Sequence, residues 1–240
     1  MLNISETKKN TKFNCIIPCD IYQTWYTKDL PEKMRERVNL LKSQNPNFNH
    51  YLFDDNDCRE FIKTHFKPDV LQAYDSLIPG AYKADLWRYC ILFINGGIYL
   101  DIKLVCVNDF RLIELTGQNN FVKDRHPCTI YNALIASQKG NIFLFRAIRQ
   151  IVENVKNKYY GLDPLSPTGP ELLGKLAIRT NFEGVNIGLK HYNGGGYIMY
   201  KNRFVISTEY PEYNNERTHA YNNINTKRYA TLWHENAIYI

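Results

Sequence analysis

The sequence predicts an α/β fold, a layered sheet flanked by helices, and three observations lead there. Short apolar runs of strand character alternate along the chain with longer stretches of helical period. One stretch, residues 81–95, is apolar on most sides, as a helix held between layers must be. It stops at Gly96-Gly97 and hands the chain to Ile98-Tyr99-Leu100, so Asp101 stands at the carboxyl end of a buried strand, where open α/β sheets place ligands.

Taken in order, residues 15–26 mix apolar and polar positions around Ile16, Ile17, Ile21 and Tyr22, as a first strand leading into Gln23-Thr24-Trp25 would. Pro31 suits the first turn of a helix running to about Ser43. Residues 49–53 read as a second strand, followed by the acidic loop Asp54-Asp55-Asn56. Asp57 with Glu60 three residues later resembles a capping pair and predicts a helix to about His65. After the buried helix, glycine tolerates the left-handed backbone that ends helices. Residues 120–123 and 131–136 read as strands, 142–156 as an amphipathic helix, and 169–180 as a helix after a proline-punctuated loop. The final third holds Gly194-Gly195-Gly196 and two apolar runs, 197–200 and 204–206, joined by Lys201-Asn202-Arg203 as in a hairpin.

A chain of 240 residues suits one α/β domain, and 44% hydrophobic with 22% charged residues excludes a disordered chain. The formal charge of +6 is spread along the sequence rather than gathered in a run, which favours small anionic ligands over nucleic acid. Six cysteines show neither Cys-x-x-Cys pairs nor zinc spacing, so free thiols and a reducing compartment are expected. Residues 1–11 are polar, unlike a secretory signal, and no apolar run approaches the roughly 20 residues that span a bilayer. A soluble, cytoplasmic protein is the expectation. The sequon at Asn3 is of chance frequency.

Chemistry concentrates in Ala84-Asp85-Leu86-Trp87-Arg88-Tyr89 and in Gly96-Gly97-Ile98-Tyr99-Leu100-Asp101. Asp85 and Arg88 are three residues apart, hence on one helical face, and can reach a common ligand. A carboxylate accepts hydrogen bonds from sugar hydroxyls, while a guanidinium donates a fork of them to phosphate oxygens. An intrahelical ion pair would have the same spacing, and a lone Asp after a strand is commonly a turn residue. Burying such a pair inside an apolar helix, however, is costly without a purpose.

The run Tyr82-Lys-Ala-Asp-Leu-Trp-Arg-Tyr followed by Gly-Gly-Ile-Tyr-Leu-Asp101 resembles the sugar-binding DXD region of glycosyltransferase family 32. That group contains yeast-type initiating α-1,6-mannosyltransferases, bacterial capsule enzymes and large-virus relatives, and the same arrangement occurs in clostridial glucosylating toxins. Further similarities, in the family's order, are Ile21-Tyr22-Gln23-Thr24-Trp25, Leu52-Phe53-Asp54-Asp55, Thr168-Gly169-Pro170 and residues 229–233.

The resemblance implies a GT-A fold, a Rossmann-like mixed sheet whose nucleotide-sugar-binding part covers about residues 12–110 and whose acceptor side covers about 111–240. It implies a UDP- or GDP-linked donor and a glycan or protein hydroxyl acceptor, with retention of configuration. Trp25, beside Gln23 and Thr24, would stack on the base; Asp85 and Arg88, with Tyr82, would hold the sugar. Asp101, after Tyr99 and Leu100, would sit at the diphosphate, directly or through Mn²⁺ or Mg²⁺. In the C-terminal segment Trp233, His234 and Asn236 would close over the diphosphate, with His234 a metal or phosphate contact. The family's usual His is Tyr22 here, and the second acidic residue of the DXD motif is Lys103. At an effective dielectric of about 20, unit charges about 4 Å apart interact by roughly 4 kcal/mol. The exchange leaves three outcomes: Lys103 points away, Lys103 supplies charge to the diphosphate, or the chain binds sugar nucleotides without turning them over.

Overall fold

The computed structural model describes residues 15–192 and 196–240. Along the chain come β1 (Asp20–Thr24), α1 (Glu32–Gln44), β2 (Asn49–Phe53), α2 (Asp55–His65), α3 (Pro68–Ser76), α4 (Gly80–Asn95) and β3 (Gly97–Leu100). There follow β4 (Val105–Cys106), a 3-10 turn at Leu112–Leu115, β5 (Asn120–Lys123), β6 (Ile130–Ser137), α5 (Ile142–Lys156), α6 (Pro170–Arg179) and β7 (Val185–His191). The last elements are β8 (Tyr197–Tyr200), β9 (Arg203–Ser207), α7 (Tyr213–Asn223) and α8 (Tyr229–His234).

The strands join one mixed sheet in the order β2-β1-β3-β6-β5-β7-β8-β9-β4. β1 runs parallel to β2 and β3, with Tyr22 opposite Tyr99, whereas β6 runs antiparallel to β3. Parallel neighbours need a crossover, which α1 supplies between β1 and β2, and α2, α3 and α4 supply between β2 and β3. The carboxyl ends of β1 and β3 therefore open on the same side, next to the start of β6. There the Asp101 amide donates to the Ala133 carbonyl at 2.8 Å.

β3 separates two apolar layers by its period of two: Tyr99 packs with α4, while Ile98 and Leu100 face the opposite cluster with Ile21, Leu41 and Leu134. In α4, Trp87, Tyr89, Cys90, Ile91 and Leu92 have no exposed surface, as the all-round apolar pattern predicts. Trp87 lies 4.9 Å from the Phe53 ring and 6.2 Å from that of Tyr99, so the helix is locked against both parallel strands. Gly96 (φ 70°) and Gly97 (φ 107°) make the reversal into β3.

The helix after β2 begins earlier than the Asp57–Glu60 spacing predicts. Asp54 is its cap: its carboxylate accepts from the Asp57 amide, and the Asp54 amide donates back to the Asp57 carboxylate. Three helices escape the periodicity, as does β7. α3 is short and opens on Pro68. α7 is polar, with Ala220 its one buried residue, and α8 spans 6 residues, so neither carries a strong helical stripe. The hairpin of β8 and β9 turns on Lys201 and Asn202, at φ 49° and 62°. Gly194, Gly195 and the Asn3 sequon lie outside the described residues. No disulfide joins the described cysteines, and Cys58, Cys90 and Cys106 are buried. Among the described residues no helix is long and apolar enough to cross a membrane.

Candidate functional site

α4 and the end of β3 bring Asp85, Arg88 and Asp101 together. Arg88 Nη2 lies 3.2 Å from Asp85 Oδ1, and Nη1 lies 3.4 Å from Asp101 Oδ1. The guanidinium sits over the Tyr99 ring at 4.3 Å and donates to the Asn132 carbonyl at 2.9 Å. Tyr99 in turn donates its hydroxyl to Asp101 Oδ1 at 2.9 Å. Asp85 accepts from Asn132 Nδ2 at 2.9 Å and from the Thr168 hydroxyl at 2.7 Å. Asn132 also donates to the Tyr89 hydroxyl, which donates to the Thr168 carbonyl. One charge cluster thus ties α4, β3, β6 and the loop before α6, and every polar neighbour is itself held.

Burial pushes the Asp85 carboxyl up from its ordinary value, against the opposing pull of Arg88, Thr168 and Asn132. Burial alone would lower Arg88, but Tyr99, Asp85 and Asp101 hold it above its usual range. Asp101 is the exposed member, its side chain 30% accessible against 10% for Asp85 and 6% for Arg88. The cluster is rigid at its base and open at the Asp101 tip. Preorganised charge of this kind can stabilise charge that develops in a bound molecule.

This tip opens into a cavity of about 630 Å³, lined also by Tyr82, Lys103, Gly169 and the α7 residues Tyr213 and Arg217. Lys103 faces into it, its Nζ 4.8 Å from the Tyr213 centroid. Burial lowers the Lys103 ammonium, Asp101 raises it, and Arg217 lowers it further. On another wall His191 Nδ1 lies 3.4 Å from Asp124 Oδ1, and the imidazole stacks on Tyr131 at 4.2 Å. Burial would raise the Asp124 carboxyl, but His191 and local hydrogen bonds bring it below the ordinary range.

The other residues singled out by sequence fall in three places. Tyr82 lines the cavity and donates its hydroxyl to the Pro164 carbonyl at 2.6 Å. Tyr99 and Leu100 are buried in the sheet, behind Asp101. Thr24, also buried, bonds the Phe53 carbonyl and contacts Cys58 Sγ. Trp25 is half-buried against Leu30, Met34 and Ile102, and its buried indole N–H has no hydrogen-bond partner among the described residues. Trp233, His234 and Asn236 are not brought to the cavity lining: Trp233 packs on the core and donates to the Tyr160 carbonyl at 2.8 Å, and His234 and Asn236 are exposed.

Gln23 sits behind the motif. Its Nε2 donates to the Asp101 carbonyl at 3.4 Å, and its Oε1 accepts from His50 Nε2 at 2.7 Å. Burial, with Lys42 adding, lowers His50 to about 4, so the folded protein holds it neutral. An unfolded histidine titrates near about 6.5, so below that pH the unfolded chain takes up a proton that the native chain refuses. Stability is therefore expected to rise between about pH 4 and about pH 6.5 and to level off above. Urea unfolding across that window should show the slope in the native chain and a flatter profile in His50→Gln. Equal slopes would remove His50 as its source.

Asn132, Asp124, His191, Tyr213, Arg217 and Arg228 were not legible beforehand. They arrive from β6, β7, α7 and the loops at their ends, and only the Thr168-Gly169-Pro170 turn carried a signal.

The metal implied by the resemblance would need ligands at Asp101 and His234. His234 is exposed and outside the cavity lining, and Asp101 Oδ1 is shared between Arg88 and Tyr99. Among the described residues no three His, Cys, Asp or Glu side chains gather as ligands. Of the two ligands expected, Asp101 alone lines the cavity, so these side chains make no complete divalent site by themselves, and an ion arriving with a diphosphate would meet one carboxylate.

Residues 31–123 match the family model described as "Glycosyltransferase sugar-binding region containing DXD motif". Residues 31–123 are thus similar to a DXD-type glycosyltransferase sugar-binding region. Asp85, Arg88, Asp101 and Lys103 all lie within those matched residues. Over 158 residues the chain is 34% identical to inositol phosphoceramide mannosyltransferase 3 of Schizosaccharomyces pombe, covering 65% of this chain and 44% of the relative. It is 40% identical over 94 residues to an uncharacterized glycosyltransferase of Acanthamoeba polyphaga mimivirus, covering 38% and 37%. An initiation-specific alpha-1,6-mannosyltransferase of Candida albicans is 35% identical over 37% of this chain and 24% of its own length. The chain thus spans less than half the length of each of these three relatives. In fold it is similar to the PaToxG glycosyltransferase, with a TM-score of 0.54 at 18% identity over 68% of this chain and 70% of the other. The glycosyltransferase domain of the YGT toxin aligns at a TM-score of 0.50 and 11% identity, covering 79% and 82%. The fold these likenesses show is that of GT-A glycosyltransferase domains.

Proposed function

We propose that this chain transfers a hexose from a UDP- or GDP-linked sugar to a hydroxyl acceptor on a glycan or protein, with retention of configuration. The observation that carries the reading is the convergence of Asp85, Arg88 and Asp101, all within the matched residues 31–123, at one wall of the cavity. Asp85, held by Thr168 and Asn132, accepts from sugar hydroxyls; Arg88 spans the two carboxylates and fixes their spacing. Asp101 stands at the tip where the diphosphate leaves. Trp25, half-buried and outside the cavity lining, is assigned to the base by the resemblance. Residues up to about 110 would hold the donor, and the later half, with Tyr131 and His191, would receive the acceptor.

In the reaction the bond from the anomeric carbon to the diphosphate breaks, and the acceptor oxygen bonds to that carbon on the same face. The acceptor's proton passes to the departing diphosphate. The protein's part is positioning and electrostatic stabilisation of an oxocarbenium-like state, so no side-chain nucleophile is assigned.

A second reading, binding of sugar nucleotides without turnover, is favoured by Lys103 in the motif. Incubating the chain with UDP-glucose, UDP-galactose, UDP-N-acetylglucosamine and GDP-mannose, with and without Mn²⁺, separates the two. Release of free nucleoside diphosphate is expected with at least one donor. Because two of the relatives are named mannosyltransferases, GDP-mannose is tried first. Saturable binding with no release from any donor would replace the enzyme by the binding protein.

A further inference from the structure

The cavity lining carries more positive charge than its own acids answer. Asp85 and Asp101 are engaged by Arg88, and Asp124 by His191. Lys103, Arg125, Arg217 and Arg228 line the same space, and none of them forms an ion pair among the described residues. Two of these cations share one ring: Lys103 Nζ lies 4.8 Å from the Tyr213 centroid and Arg217 Cζ lies 5.0 Å from it. Like charges held this close repel, and an aromatic face offsets that only in part. Arg217 donates through Nη2 to Asn214 Oδ1 at 2.7 Å, while its buried Nε has no hydrogen-bond partner among the described residues. A buried donor left unmade is expensive, and an anion would satisfy it.

We propose that Lys103 and Arg217, with Arg125 and Arg228 at the rim, form a cationic clamp that binds the diphosphate of the donor without a divalent ion. The proposal rests on reading the cavity as a nucleotide-sugar site. Lys103 stands two residues after Asp101, where the motif has its second acid, and it faces into the cavity. A carboxylate there recruits a cation; an ammonium there replaces one. The partners suit the task, since an ammonium is a compact point charge and a guanidinium grips phosphate oxygens with a fork of donors. α7 brings Arg217 to the clamp, and Tyr213 on the same helix spaces the two cations.

Calorimetric titration of the whole chain with UDP, GDP and inorganic pyrophosphate, each in EDTA and in Mn²⁺, tests the clamp. At least one nucleotide is expected to bind in EDTA, with an affinity changed by less than about threefold in Mn²⁺. Arg217→Ala should weaken that binding by about tenfold or more, and Lys103→Asp should lose it in EDTA and regain it in Mn²⁺. Should Lys103→Asp fail to fold, Arg217→Ala decides, because α7 is largely exposed. Nucleotide binding that appears only with Mn²⁺, or that survives Arg217→Ala unchanged, overturns the clamp while leaving the donor site. Pyrophosphate binding in EDTA without any nucleotide binding keeps the clamp and removes the donor reading. No binding of any probe in either buffer overturns both.

Discussion

Asp85→Ala is expected to cut donor turnover steeply and to destabilise the chain by about 3–5 kcal/mol. The size follows from what the substitution leaves behind. Arg88 is buried with Asp85 as its partner at 3.2 Å, and its other carboxylate, Asp101, is farther and more exposed. Removing Asp85 strands much of a buried positive charge and also unmakes the bonds from Asn132 and Thr168. Turnover should fall by about 10²–10³-fold or more, the scale seen when a preorganised polar group is taken from a transition state. Urea unfolding gives the first number, and release of nucleoside diphosphate gives the second. Asp85→Asn, which keeps the shape and loses the charge, should recover part of the stability and little of the turnover. Full turnover in Asp85→Ala would take Asp85 out of the site.

The second large effect is expected at a residue that touches no ligand. Gly97 has φ 107°, and a Cβ there would meet the Asp20 carbonyl and the Tyr22 ring at 2.8 Å. Gly97→Ala therefore combines backbone strain of about 1–2 kcal/mol with overpacking of about 1–3 kcal/mol. Gly140→Ala isolates the first component, since Gly140 has φ 75° and nothing within 4 Å of the added carbon. A loss of about 2–5 kcal/mol at 97 against about 1–2 kcal/mol at 140 is the expected contrast, read from denaturant midpoints. Equal losses would mean that the close approach of β3 to β1 carries no cost. Because Gly97 sets where β3 starts, the surviving folded fraction should also show weaker donor binding, through displacement of Asp101.

How much of this was readable beforehand varies with the range of the interaction. Strands at 49–53 and 120–123 and the helix at 142–156 match their predicted bounds, because alternation and helical period are local patterns. The cap of α2 was misplaced by three residues, since three neighbouring aspartates compete for one role and only the backbone angle of Asp54 selects it. α7 was missed altogether, yet it delivers Arg217 and Tyr213 to the cavity. Its residues are polar on nearly every side, so periodicity had nothing to report.

The order of residues alone determined the unit of α4, the paired glycines and β3, and with it the joint position of Asp85, Arg88 and Asp101. Helical spacing, glycine's left-handed freedom and the end of a strand act within about six residues or fewer of one another at each step. Tertiary structure decided what surrounds that unit. Asn132 and Thr168 reach Asp85 from 47 and 83 residues away, the unanswered cations come from four separate segments, and Trp233, His234 and Asn236 stay outside the cavity lining. Contacts across such separations depend on how the layers close on each other, and no local pattern of residues encodes that closure.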